Sequence, residues 1–501
     1  MNFQRSGGIL IHPSSLPGPY GIGDLGPEAY DFIDWLAEAG CRLWQILPLG
    51  HTGYGDSPYQ CFSAFAGNPY LISPDLLVRE GLLTDDEAAQ GRQATSGSDV
   101  DFSTVIPWKM EILARAFARF QETDPLKLRE EFGAFRAQNA DWLDDYALFM
   151  ALKEEHGGGS WADWPEAIRK RDEAALASAR ESLSGRILEY SFYQMLFFRQ
   201  WNALQAHVHE KGIKLIGDIP IFVAADSSDV WAHPDLFYLD EERRPTVVAG
   251  VPPDYFSPTG QRWGNPLYRW EAHKSTGYAW WLSRFRAILQ SVDIVRLDHF
   301  RGFAGYWEIP AAHPTAEVGR WVPGPGSDFL EAVRNNLQGI YGSDTLPVIA
   351  EDLGLITTDV IELREYFHLP GMRILQFGFS DPKNPFLPHM YRSDCVAYTG
   401  THDNDTARGW LETASKEEVQ FALHYLHTTR RSFAWDLVRA IWSSVAEFAI
   451  APMQDILDLG TGARMNFPSR LGGNWKWRVD QDRLTPALAR RIHELNYLYL
   501  R

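Results

Sequence analysis

The chain has 501 residues, of which 45% are hydrophobic, and its formal net charge at pH 7 is −18. This length would allow three or four domains of average size, although a single elaborated domain can also reach it. The acidic balance argues against a nucleic-acid binder, because contacts to phosphate need a surplus of lysine and arginine. An uncharged substrate remains compatible with this charge.

Cysteine usage and hydropathy give an expectation about the compartment. The cysteines are too few for a disulfide framework and lack metal-ligand spacing, so we expect reduced core residues at Cys41, Cys61 and Cys395. The first residues enter only a short apolar stretch, which a histidine and a proline interrupt, and this is not a signal-peptide core. The apolar segment 433–453 contains three charged residues, which argues against a membrane span. We therefore expect a cytoplasmic protein.

The first elements of the chain predict a unit of strand, helix and strand. Apolar runs over residues 8–11 and 43–48 are expected to be the first two strands. The helix between them is expected to begin at residues 26–28 and to end at Gly40. Its apolar residues recur at helical spacing and are Phe32, Trp35, Leu36 and Ala39. This pattern is that of a βαβ unit.

Helical patterns replace this alternation from about residue 75 to about residue 205. One apolar stripe consists of Ile112, Leu113, Ala116, Phe117 and Phe120. A second stripe consists of Tyr190, Phe197, Trp201, Leu204 and Val208. We interpret this segment as a largely helical insertion, after which the chain returns to the strand and helix pattern.

Strands resume after the insertion. One is expected over residues 213–218, and two more end at Asp298 and Glu351, on either side of a further helix. The segments 376–379 and 398–403 are expected to continue the same sheet.

The remaining segments are predicted to be long loops and a helical carboxyl-terminal part. The proline- and glycine-rich segment 245–266 is predicted to be a long loop, within a loop-rich insertion of about residues 225–290 that covers the cleft. Residues from about 405 to 501 are expected to be helical and to contain no separate β-domain. We therefore expect residues 1–501 to form a single catalytic unit.

The most informative feature is the position of three acidic residues, each at the end of an apolar run. They are Asp298 in RLDH, Glu351 in PVIAED and Asp403 in YTGTHDND. In a (β/α)8 barrel the loops that follow the strands open at one mouth, where the active site lies. The separation of each consecutive pair leaves room for a strand, a helix and another strand. All three acids can therefore share one rim, which indicates glycosyl chemistry.

Further motifs extend this pattern along the chain. They are YGDSPYQ at 54–60, GDIPI at 217–221, VPPDYF at 251–256, WGNPLY at 263–268 and LPGMR at 369–373. Together with the three acids, and in this order, they resemble the amylomaltases, the 4-α-glucanotransferase family (glycoside hydrolase family 77) of the α-amylase superfamily. The resemblance covers nearly the whole chain. One departure is Leu297, where the family often has isoleucine, and this swap conserves volume.

The pattern and the resemblance together predict a (β/α)8 TIM barrel with a large, mostly helical insertion, long loops over the active site and no separate carboxyl-terminal β-domain. The resemblance implies transfer of α-1,4-glucan segments between maltooligosaccharides or starch-like glucans through a covalent glycosyl-enzyme. No cofactor is implied, and the charge and hydropathy described above argue against nucleic acid and a membrane as partners. The resemblance also implies Asp298 as nucleophile, Glu351 as acid/base and Asp403 as the residue that stabilises the transition state through sugar hydroxyls.

Local geometry supports these roles. In a strand, residues i and i+2 point to the same face, so Arg296 should lie beside Asp298 and favour its ionised form. Glu351 should lie near Asp298 in a partly dehydrated cleft, where desolvation and like charge favour the protonated form. For each acid taken alone, the alternative is a solvated loop carboxylate or a member of an ion pair.

The other candidates are expected to contact substrate. The resemblance places Asp218 and His402 around the donor sugar and Asp381 at a further contact, although Asp218 could instead anchor its loop. His299 alternates away from Asp298 and is more typical of a core histidine. Aromatic residues in glycine- and proline-rich loops are expected to stack on glucose, with loop packing as the alternative. The remaining substrate-binding candidates are Arg296, Tyr54, Tyr59, Phe256, Trp263 and Asn265.

Three alternative interpretations fit part of this pattern. A retaining α-glucan hydrolase would use the same acids with water as acceptor. A noncatalytic glucan-binding protein is disfavoured because the set of acids is complete. A metal site at His402 and Asp403 is disfavoured because no second histidine-rich motif accompanies them.

Overall fold

The computed structural model describes residues 4–94, 98–253, 257–342, 345–468, 470 and 472–501. Within these ranges the chain forms twelve strands, which are β1 (Ser6–Leu10), β2 (Leu43–Gln45), β3 (Lys214–Ile219), β4 (Val247–Val251), β5 (Gln261–Pro266), β6 (Ile294–Leu297), β7 (Gly305–Pro310), β8 (Arg320–Pro323), β9 (Val348–Ala350), β10 (Gly371–Ile374), β11 (Cys395–Tyr398) and β12 (Phe448–Pro452).

The same ranges contain nineteen α-helices, which are α1 (Pro27–Glu38), α2 (Pro74–Arg79), α3 (Asp85–Ala94), α4 (Phe102–Thr123), α5 (Leu126–Gln138), α6 (Ala140–Glu155), α7 (Glu166–Arg169), α8 (Glu173–Ser182), α9 (Ser184–Glu210), α10 (Ser228–Ala232), α11 (Trp270–Ser275), α12 (Ala279–Ser291), α13 (Gly326–Tyr341), α14 (Thr358–Tyr366), α15 (Ala407–Thr413), α16 (Lys416–Tyr425), α17 (Phe433–Ser443), α18 (Met453–Ile456) and α19 (Pro486–Leu498).

Eight parallel strands close into a barrel in the order β1-β12-β11-β10-β9-β6-β3-β2. The first strand pairs with the last, and Gly8 of β1 lies opposite Ile450 of β12. Every residue of β1, β6, β11 and β12 is buried, because side chains fill the barrel inside and helices cover it outside. The predicted (β/α)8 barrel is thus confirmed, and the described residues contain no separate carboxyl-terminal β-domain.

Strand β12 lies within residues of about 405–501, which were predicted to be the helical carboxyl-terminal part of the barrel. It is a short apolar run that follows α17, and periodicity alone does not distinguish such a run from a buried helix. Its partners β1 and β11 are distant or separated from it by helices, so no local signal reports the pairing. The barrel closes only through this strand.

The sequence pattern predicts a barrel strand at residues 376–379, but the strand lies earlier in the chain. Strand β10 ends at Ile374, and Leu375–Gly378 is a 3-10 helix, so the segment 376–379 is not a strand. In this 3-10 helix the side chain of Gln376 donates to the backbone oxygen of Asp405, at 2.9 Å. Strand β11 likewise ends at Tyr398, before the turn that contains Asp403.

A second sheet is antiparallel and has the order β5-β4-β7-β8. Its strands β4 and β5 occupy much of the segment 245–266, which was predicted to be a long loop, and that prediction was wrong. Strand β4 pairs with β7, so that Gly250 lies opposite Trp307. Strand β4 also pairs with β5, but the prolines and glycines within and between these two strands hide their short alternation.

Helices α2 to α9 lie between β2 and β3, and both predicted apolar stripes are buried, on α4 and α9. A buried ion pair fastens α4 to the loop before α1: the Nζ of Lys109 lies 3.2 Å from the carboxylate of Asp24, with 0% and 3% of the two side chains exposed. Lys109 also donates to the backbone oxygen of Ile72 at 2.7 Å. The charge is thus fully enclosed between these segments.

The structure shows the state of the cysteines and the apolar character of the helices. All three cysteines are free, and Cys41 and Cys395 are buried. In the part of the chain that the structure describes, we find no helix with the length and apolar character that crossing a bilayer requires.

Replacing Lys109 with methionine would leave the Asp24 carboxylate buried without its cation. We expect the free energy of unfolding to fall by about 3 to 5 kcal/mol. The double variant Lys109→Met/Asp24→Asn removes both charges and keeps an acceptor for the backbone amide of Gly26, so it should be more stable than the single variant. Chemical denaturation, with the exposed Lys127→Met as control, measures this. A single variant as stable as the wild type would contradict the role of the pair.

Candidate active site

The three acids follow barrel strands at their carboxyl ends. Asp298 follows β6, Glu351 follows the neighbouring strand β9, and Asp403 lies in the loop after β11. Barrel hydrogen bonds position the first two, because the amide of Asp298 donates to the oxygen of Ile219 and the amide of Glu351 donates to the oxygen of Leu297, each at 3.0 Å. The side chains therefore project from one end of a closed sheet.

Arg296 joins two carboxylates in the barrel mouth. One of its terminal nitrogens donates to Asp218 Oδ2 at 2.5 Å and the other to Asp298 Oδ1 at 2.8 Å. Arg296 and Asp218 are direct register partners on β6 and β3, so the sheet itself brings them together. As predicted, Arg296 lies beside Asp298. The guanidinium is buried, and both its terminal nitrogens face negative charge.

Glu351 is buried and held by backbone amides. Its Oε2 accepts from the amide of His299 at 2.7 Å, and its Oε1 accepts from the amide of Leu353 at 2.8 Å. Burial, reinforced by the charge of Asp298, raises the pKa of Glu351 to about 8, although Arg296 and these amides oppose the shift. At neutral pH this carboxyl group is mainly protonated.

Asp298 is the stronger acid of the two. Burial raises the pKa of Asp298 to about 6, and the attraction of Arg296 only partly offsets this rise. The charge of each carboxyl group affects the ionisation of the other, so the two groups titrate together. Near neutral pH the pair holds one proton, which resides mainly on Glu351, while Asp298 is mainly ionised.

Asp403 has a different environment. Its side chain is 48% exposed and lies 3.4 Å from the Nε2 of His402, measured from its Oδ2. The side-chain amide of Asn466 donates to its Oδ1 at 2.7 Å. Burial acts to raise the pKa of Asp403, but His402 and Asn466 outweigh it and hold the pKa well below its usual range. Asp403 is thus ionised throughout the neutral range.

Tyr59 connects this acid to the Arg296 cluster. Its hydroxyl donates to Asp218 Oδ2 at 2.7 Å, and its ring stacks on the ring of His402 with centroids 5.1 Å apart. The ring of Trp475 lies 5.9 Å from both rings. These contacts bring together the predicted residues Tyr59, His402 and Asp218.

Trp263 and His299 form a wall of the site next to Glu351. Trp263 lies on β5 and meets the ring of His299 edge to face, with centroids 4.8 Å apart. His299 has a φ of 49°, in the left-handed region, and its backbone amide donates to Glu351. Its ring Nε2 is buried and has no partner among the described residues. The histidine is therefore part of the site's wall.

Other predicted residues are not joined to the acids in the described structure. Tyr54 is 71% exposed in the 3-10 helix Tyr54–Asp56. Asp381 caps a surface turn, where it accepts from the amide of Lys383 at 2.8 Å. Asn265 is buried and donates to the oxygen of Val223 at 2.8 Å, which indicates a positioning contact. Phe256 lies outside the described residues.

Sequence reasoning assigned no role to Asn466, Arg464 or Trp475. Arg464 donates to the backbone oxygen of Asp403 at 2.5 Å, beside the contact that Asn466 makes to its carboxylate. Trp475 has a φ of 64° and follows the glycines of a GGNW segment. An aromatic residue in a glycine-rich loop was the one available signal. The contacts themselves join segments more than sixty residues apart.

Two further features bear on ligands. Asp218 Oδ1 is buried and has no hydrogen-bond partner among the described residues, although the other oxygen of this carboxylate has two. No group of three or more histidine, cysteine, aspartate or glutamate side chains in the described ranges is arranged to hold a metal ion.

A closed parallel barrel of eight strands, with three carboxyl groups that follow its strands at one mouth, is the arrangement expected of (β/α)8 enzymes that act on glycosidic bonds. The sequence profile of the family described as 4-alpha-glucanotransferase matches residues 11–484. The chain belongs to this family.

Individual relatives agree with this assignment. The chain is 52% identical over 506 residues to the 4-alpha-glucanotransferase of Thermus thermophilus, covering 99% of each chain. It is 48% identical over 500 residues to that of Synechocystis sp., covering 99% of this chain and 98% of the relative. Among solved structures, the amylomaltase from Streptococcus agalactiae in complex with acarbose is similar with a TM-score of 0.95 and 39% identity, covering 99% of this chain and 100% of that one.

The pH dependence of kcat/KM tests the Arg296 cluster. We expect a bell-shaped profile for the wild type, with limbs near the pKa values of about 6 and about 8. Arg296→Ala removes the charge that lowers the pKa of Asp298, so the acidic limb should move to higher pH. Arg408→Ala, an exposed arginine paired with Asp458, is the control. An unchanged acidic limb in a folded Arg296→Ala protein would contradict this interpretation.

Proposed function

We propose that this chain transfers segments of α-1,4-glucan between maltooligosaccharides or starch-like glucans by a double displacement that retains configuration, with Asp298 as nucleophile and Glu351 as acid/base. The observation that supports these roles most directly is the position of the two carboxyl groups at the ends of the neighbouring strands β6 and β9, where Arg296 binds Asp298 and two backbone amides bind Glu351. The higher pKa of Glu351 agrees with this assignment. A retaining mechanism needs one ionised and one protonated carboxyl group on the two sides of the scissile bond.

In the first step, a carboxylate oxygen of Asp298 attacks the anomeric carbon of the donor sugar. The bond from that carbon to the glycosidic oxygen breaks, and Glu351 gives its proton to this oxygen, so the leaving chain departs with a free 4-hydroxyl. The product on the enzyme is an ester between Asp298 and the sugar. Arg296 orients the attacking carboxylate through its hydrogen bond to Asp298 Oδ1.

In the second step, the 4-hydroxyl of an acceptor glucan attacks the same carbon. Glu351, now ionised, accepts the proton of this hydroxyl, and the ester to Asp298 breaks. One α-1,4 bond is broken and one is made, so no net hydrolysis occurs. If water took the place of the acceptor, the same residues would perform hydrolysis.

Three further residues are proposed to hold the donor sugar. Asp403, ionised and half-exposed, accepts hydrogen bonds from ring hydroxyls as positive charge develops at the anomeric carbon. The unpartnered Oδ1 of Asp218 is proposed to accept from another hydroxyl, which would satisfy a buried polar atom. Tyr59 offers its ring to the apolar face of the sugar.

The proposal also covers the domain organisation of the chain and the compartment of the protein. We propose that the helices between β2 and β3 form an insertion subdomain on the barrel, and that the small sheet with residues of about 225–290 borders the cleft. We also propose a cytoplasmic location. The three free cysteines support it, because thiols are kept reduced in that compartment.

The variants Asp298→Asn and Glu351→Gln test the two roles. Both preserve shape, and we expect Glu351→Gln to lower kcat on maltotriose by about 10² to 10⁴-fold and Asp298→Asn to remove nearly all activity. An α-glucosyl fluoride needs no acid for departure, so its first turnover, measured by fluoride release, should recover in Glu351→Gln alone. Glu417→Gln, an exposed position on α16, is the control. A Glu351→Gln protein with wild-type activity on maltotriose would refute the assignment.

The balance of transfer and hydrolysis is a separate prediction. With maltotriose, transfer should release glucose and build longer chains while total reducing ends stay nearly constant. Water is far more concentrated than any acceptor, so the acceptor prevails only if it is held in line for attack. Tyr59→Ala and Trp263→Ala should therefore depress transfer more than hydrolysis.

Glucose and reducing ends are measured in one time course for this test. The control is Trp435→Ala, a half-buried tryptophan on α17 that packs against Arg491. If reducing ends rose in step with bond cleavage in the wild type, the protein would be a hydrolase. If the two aromatic variants lowered transfer and hydrolysis equally, these rings would not hold the acceptor.

A further inference from the structure

A cavity of about 810 Å³ opens at the amino-terminal end of the barrel, opposite the carboxylates. It lies where β1, β2, β3 and β12 begin, and the ends of α1 and α19 border it. Its volume is in the range of pockets that enclose small molecules. The glucan site proposed above makes no use of this end of the barrel.

The cavity is basic in an acidic protein. Its lining includes Arg5, Arg42, Lys211, Lys214 and Arg501, and no aspartate or glutamate side chain among the described residues lines it. The whole chain has a formal net charge of −18. Cations gathered in a concave site with low-dielectric walls focus a positive potential, which attracts anions.

Two of these cations are held together without a carboxylate. Arg5 and Arg501 both donate to the backbone oxygens of Trp442 and Ala446. Burial, and then repulsion from Arg5, lower the pKa of Arg501 to about 9. The acceptors of these hydrogen bonds are backbone oxygens, so the bonds satisfy the donors without bringing a carboxylate side chain to either guanidinium. An anion in the cavity would offset this repulsion.

Two other cations are free to bind. Arg42 immediately precedes β2 and Lys214 opens β3, and the amide of Lys214 donates to the oxygen of Arg42 at 2.9 Å. Both side chains are exposed, and neither has a hydrogen bond or ion pair with another described residue. Lys211 differs, because Asp34 neutralises it at 2.7 Å. An arginine fork next to a lysine ammonium matches the donors that bind phosphate.

The rim of the cavity is apolar. Tyr497 and Leu500 are 75% and 82% exposed beside these cations. Such side chains can contact a sugar or another ring attached to a phosphate. The concave shape of the cavity favours a small molecule over a flat protein surface as the occupant.

We propose that this cavity binds a small phosphate-bearing molecule, with Arg42 and Lys214 donating to the phosphate and with Arg5 and Arg501 supplying positive potential. The site is independent of the glucan cleft and does not rest on the function proposed for it.

Calorimetric titration of the purified protein tests this proposal. The probes are inorganic phosphate and glucose 1-phosphate, with sodium chloride at matched ionic strength as the salt control. We expect saturable binding of a phosphate probe and none of chloride. The variant Arg42→Ala/Lys214→Ala should bind at least about 10-fold more weakly, because it loses two charge-assisted contacts. The variant Lys127→Ala/Arg180→Ala removes the same charge from exposed positions on α5 and α8 and should bind as the wild type does.

Each result of this titration either supports or overturns the proposed phosphate site. Tighter binding of glucose 1-phosphate would identify a sugar phosphate as the ligand class, and equal binding would identify the phosphate group alone. Equal affinities of the two double variants, or no binding by the wild type, would overturn the proposal. So would size-exclusion chromatography that shows a dimer lost in Arg42→Ala/Lys214→Ala without phosphate binding, since the cavity would then be an interface. Maltotriose conversion should be unchanged in both double variants.

Discussion

The buried guanidinium of Arg296 holds the carboxylates of Asp218 and Asp298 at the barrel mouth, and the rest of the site depends on this interaction. Without this cation the two neighbouring carboxylates would repel each other, and Asp298 would lose the attraction that partly offsets the rise of its pKa. Asp218 extends the cluster through the Tyr59 hydroxyl, and Tyr59 stacks on His402 beside Asp403. One arginine thereby connects the residues proposed to attack, to bind and to stabilise the sugar.

The barrel gives this cluster its rigidity. Glu351 is fixed by two amides, and its neighbour Asp352 accepts from the amide of Met372 at 2.7 Å, which ties the end of β9 to β10. A side chain at Gly371 would meet the carboxylate of Asp352 at 2.4 Å, so glycine is required at this close approach. The LPGMR motif thus has a structural reason: it lets a second buried acid support the strand that presents Glu351.

Much of this could be predicted from the sequence, because short-range patterns determine it. Asp298 and Glu351 each follow a short apolar run, and the i, i+2 spacing placed Arg296 beside Asp298. Strands β4, β5 and β12 could not be predicted. Prolines and glycines interrupt the short patterns of β4 and β5, and β12 pairs with the remote strand β1. The contact of Asn466 with Asp403 is equally non-local. The opposite pKa shifts needed the folded burial of both groups, which no sequence spacing reports.

In the proposed mechanism, the donor sugar is held covalently on Asp298 while Glu351 serves as acid and base. Intact-protein and peptide mass spectrometry of Glu351→Gln after reaction with α-maltotriosyl fluoride tests it most directly, because the ester should form quickly and break slowly in this variant. We expect one maltotriosyl adduct, located on the peptide that contains Asp298 and absent in Asp298→Asn/Glu351→Gln. An adduct on the peptide that contains Asp403, or one that survives the Asp298→Asn change, would contradict the proposed mechanism.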